Sequence, residues 1–292
     1  MSARIVIPGA GGMVGRALAA RARGQGREVL ALTSSDWDIT DEAAARRFVE
    51  PGDVVINCAA YTKVDAAEAD EALAYAVNAD GPAAIARACA DAGAGLVHIS
   101  TDYVFSGAQR HPYEIDDETG PVSVYGRTKL AGESAGRAAL PGAYVVRTAW
   151  VYEGGDGADF VATMRRLAAG DRPVDVVADQ IGSPTYAGDL VTALLEVADG
   201  AVHLPVLHAA NTGEASRFDQ ARAVFEAVGA DPGRVRPVGT DRHPRPAPRP
   251  PYSALSIERS VAAGLTPLRP WREALADAIA AHGPGGPIPS TP

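Results

Sequence analysis

A doubly wound parallel α/β sheet with a smaller C-terminal α/β part is the fold that this 292-residue sequence predicts. Three observations carry it. Short β-branched runs alternate with helical segments through the first half, the pattern of a parallel sheet covered on both faces. The first run leads directly into a glycine-rich turn and then a helix. Past about residue 152 the alternation weakens and a proline-rich loop appears.

Residues 4–8 read as a buried strand because Ile5, Val6 and Ile7 are continuous and β-branched. Gly9-Ala10-Gly11-Gly12-Met13-Val14-Gly15 follows, then the helical Arg16-Ala17-Leu18-Ala19-Ala20. Such a turn brings backbone N–H groups and a helix N-terminus up to a pyrophosphate. Gly9, Gly11 and Gly12 tighten it, and Gly15 lets the helix pack closely on the strand. A second strand, 28–33, completes a βαβ unit, which favours dinucleotide binding over a purely structural turn. It ends in Thr33, Ser34 and Ser35, with Asp36 and Asp38 just beyond. Hydroxyls donate to a ribose 2′-phosphate without repelling it, so NADPH is the expected cofactor, with NADH left open.

Thr40-Asp41-Glu42 caps a helix reaching about residue 49. Residues 53–57 form a third strand. Its sequel, Cys58-Ala59-Ala60-Tyr61, offers small residues against which a flat ring can lie. Residues 65–76 and 78–92 read as two helices, and 94–100 as a fourth strand. Ser100-Thr101-Asp102-Tyr103 then places hydroxyls at the carboxyl edge of the sheet, where ligands of such folds bind. A fifth strand, 143–149, ends in Trp150-Val151-Tyr152. Helices are expected over 159–169, 187–197, 216–228 and 270–281, and strands over 175–177 and 206–210. Residues 179–185 and the proline-rich 242–251 are loops. Residues 1–151 are expected to form the nucleotide domain, with 186–211 returning to it. Residues 152–185 and 212–282 form the second part, and 283–292 a disordered tail.

Between the fourth and fifth strands lies Tyr125-Gly126-Arg127-Thr128-Lys129. On a helix, Tyr125 and Lys129 share one face. A nearby ammonium favours an ionised phenol, giving an acid that can release and recover a proton. Alone, the pair reads more simply as a solvated helix face; the glycine turn and the strand-end hydroxyls in the same chain turn the reading to chemistry.

The net charge of −9 argues against a nucleic-acid partner. Cys58 and Cys89 are the only cysteines and lack metal-ligand spacing, so no metal is expected. The N-terminus has no signal-peptide pattern and no apolar run reaches the roughly 18 residues of a membrane span, so a cytoplasmic protein with no membrane partner is expected.

Gly9-x-x-Gly12-x-x-Gly15, Asp38-Ile39-Thr40-Asp41, Asn57-Cys58-Ala59-Ala60-Tyr61-Thr62, Ser100-Thr101-Asp102-Tyr103-Val104-Phe105, Tyr125-x-x-x-Lys129 and Arg147-Thr148-x-Trp150 occur in order. With them the chain resembles the extended short-chain dehydrogenase/reductases, whose first domain is a Rossmann fold. The Asp179-Gln180-x-Gly182-x-Pro184-Thr185 and Arg249-Pro250-x-x-Ser253-x-Leu255 segments resemble the branch acting on dTDP-4-dehydrorhamnose. The resemblance spans about residues 4–281. It implies NADPH-dependent reduction of the 4-keto group of dTDP-4-dehydro-L-rhamnose. Thr101, Tyr125 and Lys129 match the catalytic positions. The cofactor set is Gly9, Gly11, Gly12, Met13, Val14, Gly15, Ser34, Asp38, Ile39, Cys58, Ala59, Ala60, Tyr61 and Asn78, with Tyr125 and Lys129. The substrate set is Thr101, Asp102, Tyr103, Trp150, Gln180 and Arg249. Asp102 also fits a structural acceptor, Asp179 and Gln180 a loop tie, and Arg245 a solvated arginine. His98 reads as a plain strand residue. Ala17 stands where some members carry a glutamate that helps a metal-bridged dimer, so a monomer or weak homodimer is expected. Another dTDP-4-keto-deoxysugar, or a non-catalytic NADP-binding regulatory role, fits the same motifs.

Overall fold

The computed structural model describes residues 3–283; the expected tail, apart from Gly283, lies outside them. Six parallel strands form the main sheet: β1 (Ile5–Pro8), β2 (Val29–Leu32), β3 (Val54–Asn57), β4 (Gly95–Thr101), β5 (Tyr144–Thr148) and β6 (Val206–His208). Their spatial order is β6-β5-β4-β3-β1-β2. The order reverses beside β1, and the carboxyl ends of β1, β3 and β4 open there, the position at which doubly wound sheets bind ligands. β6 pairs in parallel with β5, Val206 opposite Val145. Residues 187–211 thus return to the sheet.

Both faces of the sheet are covered. Ile5, Ile7 and Ile56 pack with Leu18 and with Leu190 and Leu194 of the helix Ala187–Ala198 on one side. Val6, Val55 and Leu96 pack with Trp37 and Ile85 on the other. Leu265 and Leu268 also lie in the first cluster, so part of 212–282 belongs to this core. A separate core joins Tyr152, Val161, Met164, Phe225, Val235, Trp271 and Leu275. Small strand pairs frame it: Val174–Val177 with Val235–Val238, and Ile181–Gly182 with Ala215–Ser216.

The two helices expected over 65–76 and 78–92 are divided differently. Short helices Val64–Ala67 and Glu71–Tyr75 are separated where Asp70 caps the second through the Leu73 N–H. A π-helical turn, Ala76–Asp80, then runs into the helix Gly81–Ala92. The wide turn serves Asn78, whose side chain grips the Tyr61 N–H (2.8 Å) and carbonyl (3.1 Å) and the Thr128 hydroxyl (3.0 Å). π-Turns concentrate at functional sites for this reason: they re-aim one residue.

Candidate active site

The glycine turn builds the first wall. Gly9 has φ 79°, and a Cβ there would lie 2.4 Å from the Ala59 nitrogen. A Cβ on Gly15 would lie 2.4 Å from the Gly9 carbonyl oxygen. Gly9 therefore keeps the turn close to the segment after β3, and Gly15 keeps the helix Met13–Gly24 close to the turn. The cavity beside them is lined by Gly9, Gly11, Gly12, Ser34, Asp38, Ile39, Cys58, Ala59 and Ala60, all expected, and by Thr33, Trp37 and Val77.

A second cavity shares Gly12, Cys58, Ala59 and Ala60 with the first, so the two form one trough. It adds Met13, Val14, Thr101, Asp102, Tyr125, Lys129 and Trp150. Tyr125 and Lys129 stand on the helix Val124–Ala139, opened by a Ser123 cap that accepts the Gly126 N–H (3.2 Å). A Cβ on Gly126 would meet the Tyr103 carbonyl at 2.2 Å, and one on Gly132 the Asn78 carbonyl at 2.0 Å. Those glycines seat the helix against the end of β4 and the π-turn. Tyr61 and Asn78 line neither cavity. Asn78 is fully buried and braces Tyr61 from behind, a supporting place in contrast to the direct contact expected. Gly15 likewise acts by packing.

The catalytic candidates are bonded differently from expectation. Lys129 Nζ donates to the Ile99 carbonyl at 2.6 Å and lies 3.5 Å from His98 Nε2. Burial pushes the Tyr125 phenol up, and the Thr101 hydroxyl draws it part of the way back. Burial also pushes Lys129 down to about 8, against the attraction of Glu133. The Thr101 hydroxyl, expected as a donor to the reacting carbonyl, donates to Asp102 Oδ1 at 2.8 Å and accepts the Tyr103 N–H at 3.2 Å. Asp102 accepts the Ser253 hydroxyl at 2.6 Å. It is an acceptor for hydroxyls, where loop N–H groups were expected. Burial raises its carboxyl to about 6.

A third cavity, beyond Thr62, is lined by Tyr103, Gln180 and Arg249 of the expected substrate set, together with Phe160, Met164, Arg217, His243 and Arg245. Gln180 also donates to Thr240 (3.1 Å), and Asp179 accepts the Thr240 hydroxyl (2.7 Å), so both tie the loop. Arg249 pairs with both oxygens of Asp65, at 2.5 and 3.0 Å. Among the described residues Arg217 makes no such pair: its guanidinium donates to Gln220 alone, at 3.1 Å. Its guanidinium lies over the Trp150 ring, and burial lowers it to about 10. Sequence reasoning missed Arg217. The available signal was a cation in the first turn of the helix Arg217–Ala227, where the dipole disfavours positive charge and another partner is needed.

Among the described residues, no three His, Cys, Asp or Glu side chains converge as metal ligands, and no helix is long and apolar enough to cross a membrane.

The family model described as RmlD substrate binding domain matches residues 3–283. The chain is similar to a dTDP-4-dehydrorhamnose reductase of Mycolicibacterium smegmatis, 70% identical over 296 residues, covering 100% of this chain and 90% of that protein. It is similar in structure to a dTDP-4-dehydrorhamnose reductase of Clostridium acetobutylicum, at TM-score 0.90 and 40% identity over 95% of this chain and 99% of that one. A dTDP-4-dehydrorhamnose reductase of Bacillus anthracis, solved in complex with NADP, also matches at TM-score 0.90, with 34% identity over 96% and 100% of the two chains.

Proposed function

Because this chain belongs to the RmlD substrate binding domain family, within the extended short-chain dehydrogenase/reductases, we propose that it is the NADPH-dependent enzyme that reduces the 4-keto group of dTDP-4-dehydro-L-rhamnose to dTDP-L-rhamnose. The observation that carries this reading is a row of adjoining cavities. The glycine-turn trough meets Tyr125 and Lys129, and beyond Thr62 it opens into a pocket with Arg217 and Arg249.

The residues fit a dinucleotide. The Gly9 position is a cradle that a side chain would fill, and the NADP complex of the Bacillus anthracis relative supports the choice of cofactor. NADPH supplies the hydride that reaches the sugar C4. Gly9–Gly15 and Cys58–Ala60 hold it along the trough. Hydride arrival leaves negative charge on the sugar oxygen, and a donor placed there beforehand stabilises the transition state. Tyr125 is that donor. Its phenol, raised by burial, keeps its proton until the alkoxide forms and then passes it from Oη to that oxygen. Asp102 orients Thr101 beside the phenol, and Lys129 anchors the helix face to β4. Trp150 and Tyr103 wall the sugar, with Arg217 and Arg249 facing its diphosphate. The same reading places the enzyme in the cytoplasm.

Purified protein given NADPH and a panel of dTDP-4-ketosugars should oxidise the cofactor fastest with dTDP-4-dehydro-L-rhamnose. Faster turnover of another ketosugar would reassign the substrate, and no oxidation with any would remove the activity.

A further inference from the structure

Behind Lys129 lies a histidine that the catalytic reading does not use. His98 sits in β4, 2% exposed, between Asn57 of β3 and Lys129. The orientation of the Asn57 amide is fixed, because its Oδ1 accepts the Ala59 N–H at 3.0 Å. Its Nδ2 therefore faces His98 Nδ1, at 3.1 Å. Nδ2 can only donate, so Nδ1 must accept. A neutral imidazole that accepts at Nδ1 carries its proton on Nε2. That Nε2–H points at Lys129 Nζ, 3.5 Å away.

An ammonium has donors and no lone pair. Facing an imidazole N–H it meets a second donor, whereas a neutral amine can accept the same hydrogen. The Ile99 carbonyl meanwhile takes an N–H of Lys129 in either form. We propose that His98, held in one tautomer by Asn57, is a positioning residue that fixes Lys129 and biases it toward its neutral amine. The inference rests on the proposed reductase activity for its kinetic consequence and on geometry alone for the tautomer.

The other groups facing Lys129 do not replace this effect. Glu133, on the same helix, attracts the ammonium, but its carboxylate is engaged by the Arg147 guanidinium at 2.7 Å and by the Ser100 hydroxyl. Cys58 stays a thiol, its pKa pushed up to about 12 by burial. Tyr125 stays a phenol for the same reason. Burial lowers Lys129, the direction proposed for His98, and burial, with the Lys129 charge adding to it, keeps His98 neutral.

The experiment has two arms. Nitrogen-15 NMR of the wild-type protein at pH 7 reads the tautomer directly and needs neither variant nor substrate. A neutral His98 protonated on Nε2 is expected; an Nδ1-protonated ring or an imidazolium overturns the inference. The second arm is the pH profile of kcat/KM. If the ammonium form is the active one, the alkaline limb reports loss of its proton. In His98→Leu that limb should move up by about one pH unit, the worth of one modest hydrogen bond. Asn57→Asp, nearly isosteric, would accept from Nδ1–H and turn Nε2 into an acceptor, and should move the limb the same way. An unmoved limb in both variants overturns the inference even with the activity intact. Wild-type protein inactive on every ketosugar, with the expected tautomer, overturns the activity and leaves the tautomer standing.

Discussion

Arg217 stands over the Trp150 ring, its guanidinium carbon 3.5 Å from the ring centroid. Trp150 holds that ring at φ 48°, the one non-glycine residue with positive φ among those described. Such backbone costs on the order of 1–3 kcal/mol and persists only where its surroundings hold it. Part of the hold is Gly182, where a Cβ would lie 2.4 Å from the Trp150 ring. The ring lines the Tyr125 cavity and Arg217 the arginine pocket, so the stack holds at that pocket a cation with no carboxylate partner among the described residues.

Replacing Arg217 tests what the cation is for. Arg217→Ala should raise KM for the nucleotide-sugar by about 10- to 100-fold, the worth of a charge-assisted contact, with kcat changed far less. Arg217→Lys should recover little, since an ammonium neither stacks on Trp150 nor forks onto a diphosphate. Steady-state kinetics decide it. An unchanged KM in Arg217→Ala removes the residue from substrate binding.

Tyr125→Phe removes the proton and keeps the ring that packs edge-on against Tyr103, 5.8 Å between centroids. The expected loss is about 10²–10⁴-fold in kcat, the usual worth of a positioned acid. NADPH affinity, followed by fluorescence, should hold. Turnover near the wild-type rate would mean that another group delivers the proton.

Arg147 and Glu133 form a buried ion pair, with side-chain exposures of 6% each. Arg147 also donates to the Ile115 carbonyl at 3.0 Å, tying β5 and the Tyr125 helix to the loop between β4 and that helix. Arg147→Met strands a buried carboxylate and should cost about 3–5 kcal/mol of stability. The double change Arg147→Met with Glu133→Leu should recover much of that, because no lone charge remains buried. Urea unfolding measures both. A double variant no more stable than Arg147→Met would show that the pair matters for more than its own charge balance.

The sequence was most legible where the backbone does the work. Gly9 follows the first strand and Gly15 stands in the first turn of the helix after it, and a Cβ at either would strike neighbouring backbone. The placement of Tyr125 and Lys129 on one helix followed from spacing. Side-chain orientation was less legible. That Lys129 turns to the Ile99 carbonyl, and that Thr101 gives its hydrogen to Asp102, depends on partners distant in sequence. The Asp102–Ser253 bond spans 151 residues, and no local pattern encodes it. The broken helix over 64–80 was hidden because helix-forming alanines carry no mark of a π-turn. Asn78 earns that turn through three bonds to other segments.

His208 and Asp102 oppose each other as the pH falls. His208 is fully buried and donates through Nδ1 to the Ser256 carbonyl at 2.9 Å, while its Nε2 has no hydrogen-bond partner among the described residues. Burial lowers it from 6.5 to about 3. Between those values the unfolded chain binds a proton that the native chain refuses, so stability is lost as pH falls through that window. Asp102 runs the other way. Its carboxyl is raised from 3.8 to about 6, the native chain binds the proton first, and stability is gained as pH falls from 6 towards 3.8. Each fully titrating group contributes a slope of about 1.4 kcal/mol per pH unit, and between pH 6 and 4 the two offset. His208→Leu should therefore flatten or reverse the loss of stability in that window, and Asp102→Asn should steepen it. His98, lowered well below its ordinary value, adds to the His208 side in all three proteins and cancels from the comparison. Unfolding free energies by urea at pH 6.5, 5.5 and 4.5 give the slopes. The readout is the slope and not the offset, because His208→Leu also loses the bond to Ser256. Parallel lines for wild type and His208→Leu would show that His208 takes up its proton in the native state.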